Sequence, residues 1–119
     1  MATTNGVQVS DPDIHVMRYK WLAIPNGNQG NAASLNVYQD RTVQVLGTFG
    51  AAGSVTIQGS NDGGTTWATL TDPLGNALTF TTAGMKPISA LPHKIRPTVT
   101  AGDGTTALDV WLHARGANK

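Results

Sequence analysis

The stretch from Lys94 to Arg115, KIRPTVTAGDGTTALDVWLHAR, constrains this chain more than any other. Apolar and polar residues alternate with a period of two on both sides of Ala101-Gly102-Asp103-Gly104, the period of strands half-buried against a core. A two-residue loop at Gly102-Asp103 or at Asp103-Gly104 would make the stretch a hairpin, and both loops give the same parity. Ile95, Pro97 and Val99 then share a face with Leu108, Val110 and Leu112, and a face so uniformly apolar must be core. The opposite face carries Lys94, Arg96 and Thr98 beside Asp109, Trp111 and His113. One register sets Arg96 across from Asp109, the other across from Trp111. Trp111 is therefore expected at or near the surface, partly covered by a basic side chain.

The rest of the chain reads in the same way. Thr, Val and Ile are plentiful, Gly and Pro interrupt them at short intervals, and helix signals are scarce. The 119 residues fit one domain, long enough to bury roughly two-thirds of the surface that the unfolded chain exposes. The fold class expected is all-β, a single-domain antiparallel β-sandwich, jelly-roll or Ig-like, with about eight strands. Residues 1–13 are polar and read as an extended N-terminal arm, mobile or partner-bound, and residues 14–119 as the β-sandwich domain. Ile14 to Ala23 is the first strand, with His15, Met17, Tyr19, Trp21 and Ala23 facing inward. Pro25 to Asp40 is a long segment rich in Gly and Asn, and such segments are often functional or disordered. Leu35, Val37 and Tyr38 could form a short strand within it. Thr42 to Phe49 and Ser54 to Ser60 are strands whose inner faces hold Val43, Val45, Phe49, Val55 and Ile57. Asp72-Pro73-Leu74-Gly75 fits a type I turn. Ala77 to Thr81 and Met85 to Ser89 follow, and Pro87 implies an edge position or an irregularity.

The segment GSNDGGTTW, residues 59–67, resembles a binding loop more than any other. Turn length decides what it does, because a one-residue slip exchanges the two faces of a strand. A two-residue loop at Asp62-Gly63 pairs Ile57 with Ala68 and leaves Trp67 outside, next to Gln58. A three-residue loop at Asn61-Asp62-Gly63 puts Gly63 in the left-handed position of a bulge. Ile57 then pairs with Trp67 and the indole joins the core face with Val55. The buried arrangement is the one expected, and it makes the segment a register device.

Composition excludes several chemistries. Charged residues are 13% of the chain, the formal net charge is +1, and there is no cysteine. A basic nucleic-acid patch is therefore not expected, and neither is a disulfide, thiolate metal site or thiol nucleophile. No apolar run approaches the roughly 18 residues of a membrane span, and the first residues lack a signal-peptide pattern. Asn61 and Asp62 do not open a calcium loop, since the spacing departs from that motif and no glutamate closes it. His15, His93 and His113 have no close ligand spacing for zinc. Asp109 and His113 share a strand face, but no Gly-x-Ser-x-Gly elbow accompanies them. GTFGAAGS, residues 47–54, lacks the Lys-Ser/Thr of a phosphate loop. The chain is thus expected to be no enzyme and to take neither cofactor nor metal. A glycan-binding β-sandwich module is the chemical alternative: Trp21, Trp67 or Trp111 would stack on a sugar while Asn and Asp bond its hydroxyls.

Taken together, GSVTIQGSNDGGTTWATLTDPLGNALTF and IRPTVTAGDGTTALDVWLHAR resemble the capsid decoration, or cement, proteins of tailed bacteriophages. The signals are Gly59-Ser60-Asn61-Asp62-Gly63 before Trp67, the Asp72-Pro73 turn, Ile95-Arg96-Pro97, and Gly102-Asp103-Gly104 before the last strand. The resemblance covers residues 42–115. It implies a sandwich or jelly roll on the capsid exterior of a virion, made in the host cytoplasm, clamping major capsid protein subunits and self-associating as a dimer or trimer, with no nucleic acid or membrane partner. The candidate capsid contacts lie in the arm and the long loop: Val7, Val9, Asp11, Asn26, Asn28, Asn31, Leu35 and Tyr38. Arg96, Asp109 and Trp111 are a second candidate surface. On this reading, deleting residues 1–13 leaves the fold intact and weakens attachment. The alternative places a glycan-binding module on a phage head or tail.

Overall fold

The computed structural model describes residues 3–9, 16–34 and 38–116, except for the side chains of Tyr38 and Gln39. Among these residues there are eleven strands and no helix: β1 (Thr3–Thr4), β2 (Val7–Val9), β3 (Val16–Ile24), β4 (Gln29–Gly30), β5 (Tyr38–Thr48), β6 (Ser54–Ser60), β7 (Ala68–Thr69), β8 (Thr79–Phe80), β9 (Gly84–Ile88), β10 (Lys94–Ala101) and β11 (Ala107–Gly116). They form an all-β sandwich of two sheets. The first has the order β1-β4-β10-β6-β7, with β8 also on β6, and the second β2-β3-β11-β5-β9. β1 runs parallel to β4, and the other pairs are antiparallel. The count exceeds eight because β1, β4, β7 and β8 are two-residue strands, too short to leave a periodic signal in the sequence.

The Lys94–Arg115 stretch is not a hairpin. β10 pairs with β4 and β6 in one sheet, while β11 pairs with β3 and β5 in the other. Residues 102–106 are an arch between the sheets. The core assignment survives because facing sheets point their inner residues at each other: Ile95, Val99, Leu108, Val110 and Leu112 are all buried to 1% exposure or less. The outer faces do not survive as one surface. Arg96 lies outside the first sheet, and Asp109 and Trp111 lie outside the second. Ala77–Thr81 and Met85–Ser89 split in the same way, β8 onto β6 and β9 onto β5. β9 ends its sheet, and Pro87 sits in it at an edge.

The core runs between the sheets from Trp21, Ile24, Val43 and Val45 to Val55, Ile57, Leu78 and Phe80, with Met17, Tyr19 and Phe49 packed against it. Trp21 faces inward as expected, but Ala23 does not. Leu108 pairs with Ile24 and Val110 with Trp21, so Leu22 and Ala23 together oppose Asp109. This is a β-bulge. Ala23 takes φ 56°, donates its N–H to Asp109 Oδ1 at 2.8 Å, and hands the inward position to Ile24, which is fully buried. His15 lies outside the described residues.

The arm and the long loop are built into the sandwich where they are described. β1 pairs with β4 and β2 with β3, so residues 3–9 complete an edge of each sheet. Ala33 exchanges backbone bonds with Ile95 at 2.8 and 3.0 Å, and Tyr38 opens β5. Leu35 and Val37 lie outside the described residues. The turn at Asp72 forms as read, with Gly75 N–H on Asp72 O at 2.9 Å.

Two carboxylates close loops. Asp103 Oδ2 accepts the Ala51 N–H at 2.9 Å and Oδ1 accepts the Thr105 N–H and hydroxyl at 2.9 and 2.7 Å, which fastens the β10–β11 arch to the neighbouring β5–β6 arch. Asp62 Oδ1 accepts the Ser60 hydroxyl and the N–H groups of Thr65 and Thr66. These bonds favour the ionised forms and hold each pKa down at about 2 from 3.8, chiefly through the Thr66 N–H for Asp62 and the Ala51 N–H for Asp103. A carboxylate with a depressed folded pKa stabilises the fold above its unfolded pKa, and that contribution is lost as pH falls through the folded value. Thermal melts should therefore fall progressively from about pH 5 towards pH 2. Asp103→Asn should flatten that fall while lowering the melt at neutral pH. An unchanged acid slope in Asp103→Asn would remove Asp103 from the account.

Candidate functional site

The two outer faces of the sandwich differ in chemistry. Outside the first sheet, registers align Thr3, Gln29, Thr98, Thr56 and Thr79 across five strands. Arg96, Gln58 and Thr69 form the next row. Thr98 donates its hydroxyl to Gln58 Oε1 at 2.8 Å, Arg96 Nε donates to the same oxygen at 2.9 Å, and Thr56 and Thr79 share a bond of 3.1 Å. The face is one of hydroxyls and amides with two cations, Lys94 and Arg96.

Trp67 belongs to this outer face and not to the core. Gly59 pairs with Ala68 and Gln58 with Thr69, so residues 61–66 make a loop longer than either two or three residues. Ile57 O then accepts the Leu70 N–H at 2.9 Å, and Leu70 takes the buried position assigned to the indole. Gly63 does have a positive φ, 80°, but Gly64 shares that conformation and lengthens the loop. Trp67 is half-buried. Its Nε1–H bonds Gly64 O at 2.9 Å, and the Arg96 guanidinium lies 4.2 Å from the ring centre, a cation–π contact. Partial burial lowers the Arg96 pKa from its ordinary value. Beside the loop, a cleft of about 520 Å³ is lined by Asn61, Asp62, Trp67, Leu70, Leu91 and Pro92 among others. Its polar lip is engaged internally: Asn61 Oδ1 accepts the His93 N–H at 2.9 Å, and Asp62 holds its own loop.

Outside the second sheet the rows are apolar and cationic. Val7, Lys20, Trp111, Gln44 and Met85 align across β2, β3, β11, β5 and β9. Val9, Arg18, His113, Thr42 and Pro87 form the next row. Trp111 is half-buried and covered by a basic side chain, as expected, but the cation is Lys20, with Nζ 5.3 Å from the ring centre. Leu46 is exposed beside Asp109.

The candidate contacts thus fall in different places. Val7 and Val9 lie in β2, with Val7 outward on the second sheet. Asn26 is exposed in the turn after β3, and Asn28 gives its carbonyl to the Val99 N–H at 2.9 Å. Asn31 is structural: Oδ1 accepts the Gly6 N–H at 2.6 Å and the Trp21 Nε1–H at 3.0 Å, and Nδ2 donates to the Tyr19 hydroxyl at 3.2 Å. Asp11 and Leu35 lie outside the described residues, as does the Tyr38 side chain. Lys20, beside Trp111, and Met85, beyond Gln44 in the same row, are not among the residues singled out from sequence. Their signal was present only as polar-face positions in strands whose partners were unassigned. Among the described residues no group of three His, Asp or Glu side chains could hold a metal ion, and no helix is long and apolar enough to cross a membrane.

No protein-family model matches the chain, and no curated protein matches it. Solved structures do. The SPBc2 prophage-derived protein YomS superposes with a TM-score of 0.62 at 13% identity, over 91% of this chain and 97% of YomS. KdgF from Halomonas sp. gives 0.45 at 12% identity over 95% of this chain and 79% of its own. NMB1881 from Neisseria meningitidis gives 0.42 at 10% over 93% and 83%. The likeness to YomS is one of fold.

Proposed function

We propose that this protein is a structural protein of a bacteriophage particle, a head decoration protein that binds the outside of the major capsid protein lattice and stabilises the shell. The observation that carries the reading is the likeness of fold to YomS, a prophage-derived protein of which the match covers 97%. The resemblance of the sequence to decoration proteins also supports it, and the turns that carry this resemblance are the 59–67 loop, the Asp72 turn and the arch at Gly102-Asp103-Gly104. Decoration requires contact area across subunit seams and no bond-making chemistry, so the protein acts without cofactor, nucleic acid or membrane. Self-association as a dimer or trimer adds avidity on a repeating lattice. Its place is the capsid exterior, after synthesis in the host cytoplasm.

The tryptophans weigh against the glycan-binding alternative. Trp21 is sealed in the core at 1% exposure, and Trp67 and Trp111 each have a cation over the ring. A sugar would have to displace that cation to stack there. Purified protein mixed with undecorated capsids of the phage that encodes it should bind to a fixed stoichiometry and raise the temperature at which the shell opens. Sedimentation of the mixture and capsid melting followed by a DNA-binding dye measure both. Absence of saturable binding, together with glycan-array signals lost in Trp67→Ala or Trp111→Ala, would replace this reading with the alternative.

A further inference from the structure

Residues 3–9 sit on the sandwich as an occupant sits in a site. β1 extends the first sheet by pairing with β4, and β2 extends the second by pairing with β3. Between them, Asn5 and Gly6 cross from one sheet to the other. The buried hydrophobic core of the described residues includes none of 3–9. The receptor is made by later residues. Asn31 Nδ2 donates to the Tyr19 hydroxyl at 3.2 Å and Asn31 Oδ1 accepts the Trp21 Nε1–H at 3.0 Å, which orients the Asn31 side chain independently of the segment. The same Oδ1 takes the Gly6 N–H at 2.6 Å, and Thr4 O accepts the Asn31 N–H at 3.1 Å. Recognition is narrow at one point: a Cβ on Gly6 would run into the Tyr19 ring and stand 2.6 Å from Trp21 Nε1. What fits is an extended segment that pairs with two edges and has glycine where it crosses.

Two features favour a second copy as the donor. The segment that fits is this chain's own, so every copy carries both segment and receptor. The sequence also does not commit β2 to its own β3. Tight hairpins use loops of roughly two to five residues rich in Gly and Asn. Here Val9 stands opposite Arg18, and residues 10–17 between them, SDPDIHVM, are longer than such a loop and hold neither Gly nor Asn. We infer that residues 3–9 are exchanged between copies, each copy completing the β3 and β4 edges of another. Exchange keeps every bond named above, because the same donors and acceptors meet in trans. It leaves neither β3 nor β4 as a bare edge, and adding a strand to an open edge is a recurrent mode of recognition. A reciprocal pair closes as a dimer and a head-to-tail ring as a trimer. The inference gives form to the self-association in the reading above, and rests on that part of it.

Disulfide trapping in the full chain tests this, since the sequence has no cysteine of its own. Val7 stands opposite Lys20 and Thr3 opposite Gln29, and these pairs lie on opposite outer faces of the sandwich. Single variants are mixed at high protein concentration, held warm under reducing conditions and then oxidised. The mixtures are Val7→Cys with Lys20→Cys, Thr3→Cys with Gln29→Cys, and Val7→Cys with Thr69→Cys as a collision control. Circular dichroism confirms the fold of each variant, and non-reducing electrophoresis with mass spectrometry identifies the chains joined. Both pairs should give the linked heterodimer in several times the yield of the control. Gly6→Ala in the Val7→Cys chain should bring that yield down to the control; an unchanged yield means that the thiols meet without the segment being seated, and overturns the inference. A heterodimer in only one pair assigns that face to contact between copies without exchange, and overturns it too. So does a yield no higher than the control in both pairs. Sedimentation of the wild type then separates the failures: a dimer or trimer leaves self-association standing, and a monomer removes it as well. Capsid binding by the wild type is read apart from either.

Discussion

Trp21→Ala is expected to lower the unfolding free energy by about 3–5 kcal/mol, since Trp21 is among the largest fully buried side chains of the described residues. Whole domains are stable by only about 5–15 kcal/mol, so the variant should be partly unfolded near physiological temperature. Trp21 is 1% exposed and its ring meets Tyr19 at 4.8 Å between centroids, tilted by 47°. Its Nε1–H is shared between the backbone oxygen and the side-chain oxygen of Asn31, both at 3.0 Å. The backbone closes on the ring so tightly that a Cβ at Gly30 would stand 2.6 Å from Trp21 Cδ1 and 2.7 Å from Pro97 Cδ. Removing the indole therefore opens a cavity that neighbouring strands cannot easily fill. It also leaves Asn31 with one partner fewer. Urea titration followed by circular dichroism measures the loss. Asn31→Ala should fall between wild type and Trp21→Ala, at about 1–3 kcal/mol, because the Asn31 carbonyl remains for the indole. A Trp21→Ala loss under about 1 kcal/mol would mean that the site collapses without a cavity.

The inner faces were legible in the sequence because parity is local. Whether Ile95 and Val110 meet across a hairpin or across two sheets, both must point inward, so the core could be read without the topology. The outer faces were not legible, because they depend on which strands are neighbours. Arg96 and Trp111 stand on one face of a hairpin but on opposite sides of a sandwich. The distinguishing interactions are the Asp103 bonds to Ala51 and Thr105, one of which reaches 52 residues along the chain and so leaves no spacing to read. Trp67 failed for a related reason. The pair Gly63-Gly64 makes a loop of six residues, and a single extra residue is enough to turn a side chain from core to surface. The bulge at Ala23 exchanged Ala23 for Ile24 by the same arithmetic. The outer row of the second sheet illustrates the limit most clearly: Val7, Lys20, Trp111, Gln44 and Met85 come from five strands and become one surface only through register.

A chain lacking residues 1–9 is expected to be less stable than the full chain by about 2–4 kcal/mol, where a dangling arm would make no difference. Four losses add up. The Thr4 carbonyl no longer accepts the Asn31 N–H at 3.1 Å, and the Gly6 N–H no longer holds Asn31 Oδ1 at 2.6 Å, which frees the residue that orients Trp21. The β2 ladder along Lys20, Tyr19 and Arg18 disappears, so β3 becomes an unpaired edge of its sheet. Gly6 itself lies against the Tyr19 and Trp21 rings, and its removal lets water reach both. The β3-β11-β5-β9 ladder and the β10–β6 pair do not involve these residues, so the truncated chain should still fold at low temperature, with a far-UV spectrum close to that of the full chain. Its tryptophan emission should shift to the red as Trp21 loses cover, and its urea midpoint should fall. Equal midpoints for the truncated and full chains would show that the two N-terminal strands ride on a sandwich already complete without them.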